Sequence, residues 1–301
     1  MKSGSLLVTA FLLLSLASPA QEVGAVTVVE GSLRLIRGAT VLRAAAGVRL
    51  HAGDIVESSD SGFLQLEFNG GTIVALGPAS RLFLLHCSGR AHNNPGDNSP
   101  VADLVILRGW LKGETNSGSG AYRYESPLLA ATTGGTVVLH AAAESSELFV
   151  ESGSANVGEI SHEGALGHAT TAKAGQFLTR RAGKAMVAGA RPESAFLENM
   201  PRSFRDTLPA RMSVFAGKPV QPKPDHQVSY AEVQPWLTMG RDWRRGFVER
   251  FQSRLEDDSF RRAVQEHIED HPEWDPVLHP DKYPSKPTAA AGRSSDSSYG
   301  R

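Results

Sequence analysis

A single cysteine, Cys87, stands in 301 residues. Without a second thiol the chain has no internal disulfide framework, so its stability rests on a hydrophobic core. Cys87 itself has no Lys, Arg or His cluster placed to lower its pKa and reads as a packed or loop thiol. Excess charge of one sign is also missing. The 31 Lys+Arg and 32 Asp+Glu leave a net charge of −1, which argues against a nucleic-acid binder, because that function needs a basic field. After residue 16 no apolar run approaches the roughly 20 residues of a membrane helix. Aromatics make up only 7% of the chain. The usual catalytic signatures are absent: no Gly-x-Ser-x-Gly elbow, no His-Glu-x-x-His, no phosphate-binding Gly-Lys-Ser/Thr loop and no Cys-x-x-Cys.

What is abundant is glycine, at 30 residues, and proline, at 17. Both punctuate short apolar runs. Residues 1–20 combine Lys2, an apolar run from Leu6 to Leu16 and the small residues Ala17-Ser18-Pro19-Ala20. They read as a secretory signal peptide cleaved near Ala20-Gln21, and no cysteine at the new terminus signals a lipid anchor. The expected location is periplasmic or secreted, with no membrane span in the mature chain.

The stretch Leu50–Leu85 sets the pattern for the body. Asp54–Glu57, Phe63–Phe68 and Thr72–Leu76 are strand candidates. Asn69-Gly70-Gly71 joins the last two, and Asn-Gly is a strong signal for a hairpin with a type I′ turn. Leu64, Leu66 and Phe68 alternate with Gln65 and Glu67, which predicts a strand with one buried and one wet face. Gly53-Asp54 and Gly135-Thr136 read as structural turn motifs, since Asp in a tight turn bonds the backbone ahead of it. Further strands are expected at Ala25–Val29, Ser32–Ile36, Thr40–Arg43, Ala102–Arg108, Trp110–Lys112 and on to Ala185–Val187, with polar loops at Ser88–Pro100 and Asn116–Gly120.

From Arg191 the pattern changes to helix-like spacing. Gly217–Asp225 holds three prolines in nine residues and predicts an extended spacer. The organisation expected is a β domain over 21–190, a short helix and Pro-rich linker over 191–228, a helical segment over 229–284 and a disordered tail over 285–301. Ser229-Tyr230-Ala231-Glu232 is a capping box. A basic helix from about Arg241 to Leu255 and an acidic one over 256–275 would pair antiparallel through an aromatic stripe. Trp236, Trp243, Phe247, Phe251 and Trp274 are more large aromatics than so small a segment buries alone, and they are the expected partner-binding surface.

Glu57, Asp60 and Glu67 are the carboxylates from which a glycan-cleaving pair would be drawn, but solvated strand faces and turns explain them. His267 and His271, four apart, would share a face of a helix, and His279 is the nearest third nitrogen. A structural zinc site needs four ligands, so no metal and no cofactor are expected.

The blocks Gly53-Asp54-Ile55-Val56, Leu64–Phe68, Asn69-Gly70-Gly71-Thr72, Pro127–Thr133, Gly135-Thr136-Val137-Val138, Leu148–Gly153 and Ala174-Gly175-Gln176 resemble, in this order, the FecR-like family named for a periplasmic sensor. The resemblance covers about residues 24–185. It implies a mainly β fold, a FecR-like solenoid- or sandwich-like body of short strands with a small α-helical C-terminal appendage. Better-known members add a cytoplasmic segment that grips a sigma factor and one membrane helix. Here the β module follows the leader directly, so the resemblance implies a non-catalytic binding or scaffolding module contacting an envelope protein or a cell-wall or surface glycan. Two other functions fit the sequence: a glycan hydrolase or lyase, and a periplasmic sensing subunit acting through a separate membrane partner. Two further blocks, Phe204–Pro209 and His271–Pro276, look like ones that accompany exported FecR-like proteins.

Overall fold

A computed structural model describes residues 21–87, 100–116, 118–161 and 164–283, excepting the side chains of 241–243. The expected signal peptide, most of the Ser88–Pro100 loop and the tail lie outside these residues. The chain is mainly β with a small helical C-terminal region, as its patterning predicts. The first strands are β1 (Glu22–Glu30), β2 (Leu33–Arg37), β3 (Thr40–Ala44), β4 (Arg49–His51), β5 (Ile55–Ser58), β6 (Phe63–Phe68), β7 (Ile73–Leu76), β8 (Arg81–Cys87) and β9 (Ala102–Glu114). Then come β10 (Tyr122–Glu125), β11 (Leu129–Thr133), β12 (Thr136–Ala142), β13 (Ser145–Ser152), β14 (Ser154–Glu159), β15 (Thr170–Lys173), β16 (Phe177–Arg181) and β17 (Val187–Gly189). Helix α1 (Ser194–Asn199) and strand β18 (Lys223–Gln227) precede α2 (Tyr230–Leu237), α3 (Arg241–Phe251), α4 (Asp258–Glu266) and α5 (Asp275–Leu278).

The strands form two layers that share β9. One sheet runs β4-β1-β6-β7-β9-β12-β13-β16-β17. The other runs β18-β3-β2-β5-β8-β9-β10-β11-β14-β15. The first half of β9 pairs in the second sheet and its second half in the first. The sequence suggests two strands there; the structure shows one, bent at Gly109. That residue has φ +93°, and a Cβ on it would lie 2.4 Å from the Ser80 hydroxyl. Only glycine accommodates both.

Alternate residues of both sheets meet in one core. Val26, Leu64, Leu66, Val74 and Leu139 come from the first sheet; Leu35, Val56, Leu82, Leu104 and Val157 come from the second. This is sheet-on-sheet packing by period-two alternation. The Asn69–Gly71 hairpin is present, but positive φ occurs at Gly71 and not at Asn69 or Gly70. The connection is a three-residue loop closed by a left-handed glycine, with Gly71 N–H donating to Phe68 O at 2.8 Å, not a type I′ turn.

Both outer faces are covered by the C-terminal third. On the first sheet, Phe196, Met200, Phe204 and Leu208 pack on Ile73, Trp110, Val138 and Phe177. On the second, the helices cover Ile36, Val41, Ile55, Phe83 and Val105. The proline-rich stretch between these coverings is not a spacer. Val220 bridges Val48, and β18 adds to the edge of β3, where proline is tolerated because an edge strand has an unpaired side. Among the described residues, no helix is long and apolar enough to cross a membrane.

Candidate functional site

The residues singled out in the sequence fall into separate regions. Gly53 has φ +87° in the turn before β5. The Asp54 carboxylate accepts from Arg37 Nε at 2.9 Å, Arg37 Nη2 at 2.7 Å and His51 N–H at 2.8 Å, so it is a turn acid tied by a bidentate guanidinium. Gly135 lies so close to Ser152 that a Cβ would meet its carbonyl oxygen at 2.2 Å, and the neighbouring Thr136 starts β12.

The expected wet face of β6 is covered. Gln65 is 1% exposed and Glu67 5%. Residues 204–212 lie across them, and polar side chains of the sheet hold that segment by its backbone. Lys112 Nζ donates to Phe204 O at 2.7 Å and Asp206 O at 3.1 Å. Glu114 accepts from Leu208 N–H at 3.1 Å, and Gln65 donates to Pro209 O at 2.7 Å. Glu67 accepts from the N–H groups of Arg211 at 2.6 Å and Met212 at 2.9 Å. Buried polar groups need such partners, and here the partner is an irregular strap with few backbone bonds of its own. The Phe204–Pro209 block thus has a structural role.

The aromatic cluster lies inside the molecule. Trp236 and Phe251 are fully buried, Trp274 is 1% exposed and Phe247 2%. Phe83 of β8 meets Trp236 at 6.1 Å and Phe247 at 5.2 Å between ring centroids. These four are therefore not an exposed partner handle: their surplus apolar area closes the outer face of the second sheet. The side chain of Trp243 lies outside the described residues. Helix α3 packs on α2 and on the 272–274 turn, while α4 packs on residues 252–256 that follow α3; the expected shared apolar stripe is present, and it also docks on the sheet. Arg250 fixes that docking. Its guanidinium donates to the carbonyls of Ile36 at 2.8 Å, Gly38 at 2.9 Å and Gly53.

His267 and His271 do not share a helical face, because α4 ends at Glu266. His271 is fully buried and its Nε2 meets the Tyr230 hydroxyl at 2.8 Å. His267 stacks on the same Tyr230 ring at 5.2 Å. Among the described residues, no group of three or more His, Cys, Asp or Glu gathers as metal ligands.

Two clefts flank the helical cap on the second sheet. The larger, about 340 Å³, lies between the body and the α2–α3 corner. Val105, Leu107, Leu128 and Ile160 form one wall, Pro235 and Met239 the other, with Ser126, Thr238 and Arg244 at polar positions. Arg244 is held there by Met239 O at 2.6 Å. The smaller cleft, about 240 Å³, is lined by Arg34, Glu57, Arg81, Arg108 and the 58–60 turn. Glu57 lies between Arg34 at 3.5 Å and Arg81 at 3.3 Å, and its carboxyl pKa is raised by burial against the pull of these arginines. Neither cleft is visible in the periodicity, because each joins segments far apart in sequence: strands with the α2–α3 corner in the larger, four strands and a turn in the smaller. One charged residue on each of β2, β5, β8 and β9, Arg34, Glu57, Arg81 and Arg108, is the signal that marks the smaller.

No family model matches the chain, and no curated protein matches it. Two crystal structures of a candidate anti-sigma factor from Parabacteroides distasonis ATCC 8503 are similar in part. One, at 1.65 Å resolution, gives 10% identity and a TM-score of 0.35 over 46% of this chain and 59% of that one. The other, at 2.50 Å, gives 10% identity and 0.36 over 48% and 64%. This chain therefore spans under two thirds of the length of either.

Proposed function

We propose that this chain is an exported, non-catalytic module of the bacterial envelope that binds another envelope protein, with a surface glycan as the other ligand class. One observation carries the reading: the cleft of about 340 Å³ between the β body and the helical cap has apolar walls with a few polar groups at their edge, the usual make-up of a binding site. The uses of the carboxylates agree with it. Asp54, Glu57 and Glu67 are each bound to arginines or backbone amides of the chain itself, which supports structural over catalytic roles. The ordered Gly-based blocks that resemble the FecR-like periplasmic domain, together with the leader-like residues 1–20, support export.

The test is capture from envelope extracts with the full chain and with Leu128→Glu and Met239→Glu, which place a charge in opposite walls of the cleft. A specific partner should be retained by the wild type and lost by both folded variants. Equal retention by all three would remove the cleft from the proposal.

A further inference from the structure

The smaller cleft supports an inference independent of the larger one. On its floor four residues stand directly opposite one another on adjacent strands: Arg34 on β2, Glu57 on β5, Arg81 on β8 and Arg108 on β9. Glu57 serves Arg34 and Arg81, and Arg34 is completed by Glu232 of α2 at 2.9 Å. The fourth position has no such answer. Among the described residues the Arg108 side chain makes no ion pair or hydrogen bond, and the Arg81 side chain pairs only with Glu57. Like charges directly opposite on paired strands are destabilising, yet Arg81 and Arg108 occupy that relationship. Their terminal nitrogens present guanidinium forks, which match a carboxylate in two-point geometry. Across the cleft lie Asp60 and the hydroxyl-bearing Ser58 and Ser59. Asp60 has no partner among the described residues, so it can accept from ligand hydroxyls.

We propose that this cleft binds the carboxylate of an acidic sugar, with Arg81 and Arg108 holding the anion and Asp60 accepting from the sugar hydroxyls. Burial weakens the hold of Arg81 on its proton; Glu57 opposes this, and Arg108 and Arg34 add to it. A ligand anion would relieve that repulsion. The volume of about 240 Å³ suits one sugar residue, not a chain segment.

Calorimetric titration of the full chain at low ionic strength tests the site with three probes: D-glucuronate, D-glucose and acetate. Glucuronate should bind saturably, and glucose and acetate should each bind at least about tenfold more weakly, a difference of about 1.4 kcal/mol. Arg108→Gln alters an exposed side chain and should leave the melting temperature unchanged while weakening glucuronate at least tenfold. Met239→Glu, in the other cleft, should leave glucuronate binding unchanged, so this result stands apart from the partner-capture experiment. Absence of saturable glucuronate binding, wild-type affinity in Arg108→Gln, or acetate binding as tight as glucuronate would each overturn the proposal.

Discussion

The hydroxyl of Ser80 is bonded to both backbone groups of Trp110. It accepts from Trp110 N–H at 2.9 Å and donates to Trp110 O at 3.0 Å, with Gly77 O also within 2.9 Å. This contact lies where β9 leaves one sheet for the other, next to the left-handed Gly109. Trp110 O also accepts from Gly77 N–H at 2.9 Å, so the bend would strand the Trp110 N–H, and a fully buried serine supplies its acceptor. One side chain therefore makes the shared strand possible.

Two substitutions test that role. Ser80→Ala should destabilise by about 2 kcal/mol, the cost of leaving the buried Trp110 N–H unpaired. Gly109→Ala should cost at least as much, because its φ of +93° and the Ser80 backbone 2.6 Å from the new Cβ both oppose a side chain. The combination Ser80→Gly with Gly109→Ala should not restore stability, since the dihedral strain remains. Urea unfolding of the four proteins measures this.

The strap over the first sheet gives a second prediction. Glu67→Ala removes the acceptor of two amides from a position that is 5% exposed. Charged hydrogen bonds of this kind contribute about 1.5–3 kcal/mol each. Amide hydrogen exchange should accelerate at Arg211 and Met212 well before it does in β6 or β7. Exchange that rises equally throughout would mean that the strap and the sheet open as one unit.

Much of this arrangement is legible in the sequence, and its limits are instructive. Leu64, Leu66 and Phe68 mark an inward face by spacing alone, and Ser229 and Glu232 mark a helix start. The Ser229 N–H does donate to the Glu232 carboxylate, at 2.8 Å. What spacing cannot state is which segment covers a face. Gln65 and Glu67 read as wet because polar residues face solvent by default, and residues 209–212, some 145 positions later, overturn that. The aromatics of 229–274 likewise signal excess apolar surface without saying that Phe83 and Ile55 receive it. The clefts share this non-locality: the larger exists only where the cap meets the second sheet, and the smaller only where four strands lie side by side.

Arg250 tests the attachment of the cap. It is largely buried, its pKa is pushed down to about 10 by that burial, and it donates to three carbonyls of the β2–β5 region. Arg250→Met keeps the length and loses the donors, and should cost about 3 kcal/mol. If the cap detaches first, Trp236 fluorescence will shift to the red at a denaturant concentration where the far-ultraviolet β signal is intact. Coincident transitions would show cap and body unfolding together.

Cys87 should be inert while the chain is folded. It is 6% exposed, and burial, with Asp103 and Asp54 nearby, pushes its pKa up to about 12. Thiolate is the reactive form. A thiol reagent at pH 8 should therefore modify native protein far more slowly than protein in denaturant, and the native rate should track global unfolding. Rapid native labelling would place the thiol at an accessible surface.

The buried imidazole of His271 makes the cap sensitive to acid. Burial lowers its pKa, His267 and Arg244 add to the shift, and Asp270 opposes it. Among the described residues its Nδ1 has no hydrogen-bond partner, so a proton there would be a buried charge without a direct ion pair, beside Tyr230 and Trp274. The folded chain keeps the ring neutral, whereas the unfolded chain takes up a proton as pH falls through about 6.5. Stability from this residue is then fully present above that pH and is lost as the pH falls below it. His226 acts in the opposite sense, because the Glu232 hydrogen bond raises its pKa and its contribution fades as pH rises. Melting temperatures from pH 7.5 to 5 on a His226→Gln background isolate the effect. The stability of His271→Gln should vary less over that range than that of its parent, whatever its absolute loss, while parallel curves would show that the proton enters elsewhere.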